Sequence, residues 1–334
     1  MWHVGIDLHR EFVVMAAVND LGEVMDPVRI RCEDTAAIVR VVKVLGTFRA
    51  VIEASGTYRW LYDLLRPHGV VLLAHPLRLR AMIQRRSKTD KLDAQLLANL
   101  LRINQIPLAY IPPEPYQQLR ELTRCRGRLG RDQAQVKIKL RALLARRNRQ
   151  APFRVPFGVR GLAWFRNQDF GPIENLVRDE LLARLVHFRT QITILDGHLT
   201  PMQEVFPQVE ALTEIYGIGL YSALVIIAEL GEVERFRTAK QVGAYAGLTS
   251  RVHQSGGHCY QGSITRQGSP WLRWILVEAA MKAIRKDVAL KNFYTRVRKR
   301  SSAKIARVAT ARKLAEICWK RLRRWHAEHA LVAA

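Results

Sequence analysis

The sequence contains no run approaching 18 uncharged apolar residues, so a membrane-spanning helix is not expected. Its four cysteines, Cys32, Cys125, Cys259 and Cys318, stand apart without C-x-x-C spacing, which supports neither a disulfide framework nor a zinc site. The opening run Met-Trp-His-Val-Gly-Ile-Asp meets an acid at position 7 and has no basic stretch leading into an apolar one. No secretory signal is therefore expected, and the chain is assigned to the cytoplasm, associated with a bacterial nucleoid. Acidic residues are scarce: 29 Asp and Glu against 54 Lys and Arg leave a net charge of +25. That imbalance points to a nucleic-acid partner, whereas an anionic membrane would call for an anchor the sequence does not offer.

What is present is a globular composition, 49% hydrophobic and 25% charged over 334 residues, enough for two or three domains. Residues 1–115 carry 15 basic and 12 acidic groups, net +3; residues 116–200 carry 17 and 7, net +10; residues 201–334 carry 22 and 10, net +12. The basic surface therefore belongs to the last two-thirds. In the first segment HVGID, EFVVMAAV and EVMDPVRI read as three antiparallel strands, with Asn19-Asp20-Leu21-Gly22 as a hairpin turn. A helix over 35–45, a strand at FRAVIEAS, a helix at YRWLYDLLRPHG, a strand at VVLLAHP and a helix after Ser87 follow, which makes a mixed five-stranded sheet with helices on its faces.

PPEP at 112–115 marks a linker. Beyond it, residues 116–149 place Leu119, Leu122, Leu129, Val136, Leu140 and Leu143 at helical spacing, with Gly127 and Gly130 as potential interruptions. A partner helix at about 173–200 completes a helical hairpin or dimerising coiled coil. Between 117 and 149 there are 11 basic and two acidic groups, so Arg124, Arg128, Arg131, Lys137, Lys139 and Arg141 are candidate nucleic-acid contacts, against the plainer role of a solvated helix face.

Two strands end in acids: Asp7 after Val4-Gly5-Ile6 and Glu53 after Val51-Ile52. A carboxylate closing an apolar strand often sits at a site, although a simple strand-end acid is the plainer role. Asp90 and Asp93, three apart, share one helix face. They also suit a first helical turn capped by Ser87 or Thr89, where the helix dipole favours acids. Four carboxylates on two strand ends and a helix suit Mg²⁺, with Mn²⁺ as a substitute, and two such ions can drive phosphoryl transfer. This order of elements is the RNase H or RuvC-like arrangement.

In the last segment Gly217-Ile218-Gly219 lies between helical patterns, either as a helix-hairpin-helix aimed at a DNA phosphate or as a plain tight turn. Ser255 precedes Gly256-Gly257 in a loop without apolar period. Glycines there admit a phosphate and the serine could attack it, though a turn residue is the ordinary role. His253 and His258 are neighbours in sequence. Arg251, Arg266 and Arg273 surround the loop as phosphate clamps, and the tail from 286 is a further basic helical stretch.

Taken in order, VGIDLHRE, IEASGTY, KTDKLDAQLLA, YGIGLYSA, VGAYAGLT, HQSGG and GSITRQGSPWLRWIL resemble the DEDD transposases of insertion sequences, a recombinase family that includes the Piv-type DNA invertases. The resemblance covers nearly the whole chain. It implies a RuvC-like domain over 1–115, a basic helical segment over 116–200 and a mainly helical C-terminal transposase domain over 201–334. It further implies that Asp7, Glu53, Asp90 and Asp93 are the four metal-binding acids, and that Ser255 forms a covalent link to a cut DNA strand. Donor and target DNA, a structured guide RNA made from the element, and a dimer or tetramer combining the acids of one subunit with the serine of another are implied as well. One position departs from the pattern: Ser250 follows Gly247-Leu248-Thr249 where relatives commonly carry proline. The alternatives are a RuvC-like nuclease in which water attacks, and a non-enzymatic nucleic-acid-binding protein.

Overall fold

A computed structural model describes residues 1–82, 89–255 and 258–333. The chain separates into two compact units, Met1–Ile111 and Pro112–Ala334. The first opens with β1 (Trp2–Leu8), β2 (Phe12–Asn19) and β3 (Val24–Arg31). It continues through α1 (Thr35–Leu45), β4 (Phe48–Glu53), α2 (Tyr58–Leu65), β5 (Val70–Ala74), α3 (Pro76–Met82) and α4 (Asp90–Arg102). The sheet order is β3-β2-β1-β4-β5, antiparallel among the first three strands and parallel from β1 through β4 to β5. This is the RNase H-like fold expected from the sequence.

Local chemistry accounts for the edges of the sheet. The turn between β2 and β3 closes through Asn19, whose side-chain oxygen accepts from the backbone N–H of Leu21 and of Glu23, with Gly22 at a φ of 90°. Pro27 can sit in β3 because that strand is at the edge, where a missing backbone donor costs no sheet hydrogen bond. Period-two alternation then sorts the central strands. Val4, Ile6, Ala50 and Ile52 enter the main core with α1 and α2 residues such as Ile38 and Leu61. The opposite face, with Val51, takes Leu97 and Leu101 of α4.

The second unit holds α5 (Glu114–Arg146), α6 (Val159–Arg166), α7 (Pro172–Leu199), α8 (Met202–Val205), α9 (Val209–Thr213), α10 (Leu220–Leu230) and α11 (Ala239–Tyr245). A two-stranded antiparallel hairpin of β6 (Ser250–Ser255) and β7 (His258–Ile264) follows, then α12 (Pro270–Ala283), α13 (Val288–Arg300) and α14 (Ala303–Ala333). The hairpin corrects the expected loop: β6 and β7 pair through their backbones although the sequence there has no apolar period.

At 33 residues α5 spans roughly 50 Å. It runs unbroken through Gly127, where a Cβ would lie 2.4 Å from the Trp271 ring, so that glycine makes room for α12 instead of ending the helix. α7 lies antiparallel to α5, tied by Arg126 to Asp196 at one end and Arg147 to Glu174 at the other. Leu140, Leu143, Leu182 and Leu185 fill the seam between them. α10, apolar but for a few residues such as Glu229, is the centre of the remaining core, with α12 and α14 around it.

Candidate functional site

The site in the first unit begins with strand register. β1 and β4 are parallel neighbours paired up to Ile6 and Ile52, so Asp7 and Glu53 follow at the same level on adjacent strands. Ile6 and Ile52 belong to the main core, which by alternation turns Gly5, Asp7, Val51 and Glu53 toward the face that α4 covers. Gly5 sets how close α4 can come. A Cβ there would sit 2.0 Å from the Ala94 carbonyl oxygen and 2.4 Å from the Ala98 nitrogen. With only hydrogen at that position, the helix backbone rests on the sheet, helped by Ala16, Ala94 and Ala98, all buried.

Resting there, α4 holds its first turn beside Asp7. Thr89 is the N-cap, its hydroxyl accepting from the Leu92 N–H at 3.3 Å, and Asp90 and Asp93 are the first-turn acids. A capped first turn and a place beside Asp7 are therefore compatible in the same residues. Ser87, the other candidate cap, lies outside the described residues. His9, just past β1, places Nε2 3.1 Å from Asp7 Oδ2 and 3.4 Å from Asp90 Oδ1. Ligand atoms of Asp7, His9 and Asp90 all lie within 4.8 Å of one another, the one such group among the described residues. Glu53 and Asp93 stand outside that closest set.

Electrostatics agree with the geometry. Burial pushes the Asp7 carboxyl above the ordinary range, the His9 contact opposes this, and the negative charges of Asp90 and Asp93 push it up again. A half-buried carboxylate beside two others is a site short of positive charge, and hard oxygen donors of this kind fit a small divalent cation. His9 was not anticipated from the sequence. The signal was present in the D-x-H spacing, because residues two apart in extended chain lie on one face.

In the second unit, β6 ends at Ser255, paired with His258 across the hairpin. The side chains of Ser255, His253 and His258, and all of Gly256 and Gly257, lie outside the described residues. Arg251 is exposed on β6. Arg266, at a φ of 54°, approaches Arg273; burial and the Arg266 charge together lower the Arg273 pKa, while Arg273 donates to the Ala246 carbonyl at 3.1 Å. Next to the hairpin a cavity of about 1040 Å³ is lined by Ser250, Arg266, Lys304, Arg307, Arg312 and Glu316, among others.

Of the glycine pair before α10, Gly217 has a φ of 97° and a Cβ there would meet Lys282 at 2.7 Å, so it is a packing turn against α12. Gly219, the N-cap of α10, is exposed with open space around it.

The basic residues of α5 divide into two groups. Arg124 is not a free contact as expected: its guanidinium donates to both carboxylate oxygens of Glu229, at 2.7 and 2.9 Å, and Glu229 is 1% exposed. Its charge is consumed inside the protein. Arg128, Arg131, Lys139 and Arg141 are exposed, and Lys137 is half-buried, its pKa lowered by burial and, after that, by the charges of Arg189 and Arg141. Positive charges crowded in this way attract a polyanion.

Residues 4–148 match the profile of the DEDD_Tnp_IS110 transposase family, and residues 209–295 match the one described as Transposase IS116/IS110/IS902 family. The chain belongs to the IS110-type DEDD transposases. Three relatives extend the match along its length. A Sinorhizobium fredii protein named as a transposase, y4qE, is 26% identical across 99% of this chain and 82% of its own. The transposase for insertion sequence element IS1111A of Coxiella burnetii is 23% identical across 96% and 89%. The pilin gene-inverting protein of Moraxella bovis is 27% identical across 83% and 81%. A transposase acts on DNA, so the acidic cluster of the first unit and the basic surfaces of the second fall within one DNA-processing enzyme.

Proposed function

We propose that this transposase cleaves, exchanges and rejoins DNA strands in a Mg²⁺-dependent reaction through a covalent link to Ser255, guided by a structured RNA from its own element. The observation that carries the reading is the first turn of α4 held beside Asp7, with Glu53 one strand away. Asp7, Glu53, Asp90 and Asp93 would hold the cation, with Mn²⁺ as a substitute. A bound cation supplies Lewis-acid stabilisation of charge on the scissile phosphate. The chain's own residues do the rest. Ser255 ends β6 and is followed in sequence by Gly256-Gly257, residues without a side chain to keep a phosphate away. Its oxygen bonds to phosphorus, the bond to one strand end breaks, and that end leaves as a hydroxyl carrying the proton the serine gave up. The number of phosphodiester bonds is unchanged, so a hydroxyl of another strand can reverse the step and reseal. Arg251, Arg266 and Arg273 would position the phosphate, Gly219 with the α10 N-terminus a neighbouring one, and Arg128, Arg131, Lys137, Lys139 and Arg141 the guide RNA or DNA.

A dimer or tetramer in which the acids of one subunit meet the serine of another follows from the family resemblance. So does a three-part division with a helical segment ending near residue 200.

Purified protein incubated with its element's DNA and flanking RNA in Mg²⁺ should yield a protein–DNA adduct stable to denaturation. Ser255→Ala should lose both adduct and joined product. If Ser255→Ala still cuts DNA at the wild-type rate, the enzyme is a hydrolytic nuclease and the serine is structural.

A further inference from the structure

We infer that His9 is a nitrogen ligand of the divalent cation held by Asp7 and Asp90, which makes the centre a mixed nitrogen–oxygen site that holds Mn²⁺ in preference to Mg²⁺. The inference rests on the metal-centre reading above and adds to it a residue that the four acids do not include.

Position is the first ground. His9 Nε2 is 3.1 Å from one Asp7 oxygen and 3.4 Å from one Asp90 oxygen, and all three donor atoms fit within 4.8 Å. Donor atoms this close to one another are within reach of one shared cation, whose bonds to such ligands run about 2.0–2.2 Å. Orientation is the second. The imidazole stacks on Phe12 with centroids 4.5 Å apart and planes 26° from parallel. Phe12 is itself covered by the Arg29 guanidinium at 3.6 Å. The His9 backbone is tied on both sides: its N–H donates to the Phe12 carbonyl at 2.9 Å, and its carbonyl accepts from the Cys32 thiol at 3.6 Å. Stacking on Phe12 and a backbone tied on both sides support the ring where Nε2 faces the two carboxylates, as a preorganised ligand requires.

Donor chemistry sets the consequence. Mg²⁺ prefers oxygen donors and keeps much of its water, whereas first-row transition cations accept an imidazole nitrogen readily. One nitrogen in place of an oxygen or water therefore discriminates between the ions without abolishing Mg²⁺ binding.

The test is Mn²⁺ binding to the full-length, metal-free protein, read by electron paramagnetic resonance, with Mg²⁺ as competitor and no DNA present. Wild type should show the nitrogen hyperfine coupling of a bound imidazole. His9→Ala should lose that coupling and weaken Mn²⁺ binding by about tenfold or more, with Mg²⁺ binding changed less than about threefold. Asp7→Asn should lose both ions, and thermal melts without metal establish that each variant is folded. Saturable Mn²⁺ binding by wild type without nitrogen coupling, or an unchanged Mn²⁺ to Mg²⁺ preference in His9→Ala, overturns the role of His9 and leaves the acidic centre standing. Absence of saturable binding of either ion to wild type overturns both.

Discussion

Asp7 and Arg124 show how a charge is decided by what surrounds it. Asp7 is held half-buried among like charges, a cost in the metal-free protein that a cation would offset. Asp7→Asn removes that cost together with the ligand. Its melting temperature in chelator should not fall below wild type, while the stabilisation by Mg²⁺ should vanish and strand cleavage should drop by about 10³-fold. Arg124 is the opposite case, a cation bound to the one buried carboxylate in its neighbourhood. Arg124→Met leaves Glu229 buried without a partner and should cost ~3 kcal/mol, kept moderate by the partial exposure of the arginine. Denaturant unfolding checks the value, and Arg124→Met combined with Glu229→Leu should recover most of it. If the double variant is no more stable than the single one, the pair is not the unit that matters.

At the scale of elements, the site depends on one helix lying flat on one strand. The contact is set by Gly5, whose replacement by alanine would drive a Cβ into the α4 backbone. Gly5→Ala should destabilise the protein by about 3 kcal/mol through overpacking and lift the first turn of α4 away from Asp7. Calorimetric Mn²⁺ affinity should fall steeply although every acid is still present. An affinity equal to wild type would mean that the acids converge by some route other than the packing of α4. In the second unit α5 and α7 zip together through leucines and end-to-end ion pairs, which leaves the basic residues of α5 on a braced helix pair.

For the whole molecule the governing quantity is a net charge of +25, which makes association with nucleic acid depend on salt. Replacing Arg128, Arg131, Lys139 and Arg141 by serine should reduce the slope of log affinity against log salt by about one for each phosphate that is no longer neutralised. Arg124→Met should leave that slope where it was, since its charge is already paired inside the protein. Equal slope changes from both would show that Arg124 reaches the ligand after all. No helix among the described residues is long and apolar enough to cross a membrane.

The strands and most long helices were legible because periodicity is local: apolar alternation at Val4, Ile6 and Val13, and helical spacing along 116–149, follow from geometry within a few residues. The acids Asp7 and Glu53 at strand ends, and Asp90 with Asp93 on one turn, were visible for the same reason. Three features depended on residues far away in sequence. Arg124 finds Glu229 across 105 positions, His9 becomes part of the cluster only when α4 settles over Gly5, and Gly127 continues a helix because Trp271 fills the space beside it. Patterns fix which way a side chain faces on its own element. Which partner it meets there is set by how closely the elements approach, and that distance is decided only when the whole core packs.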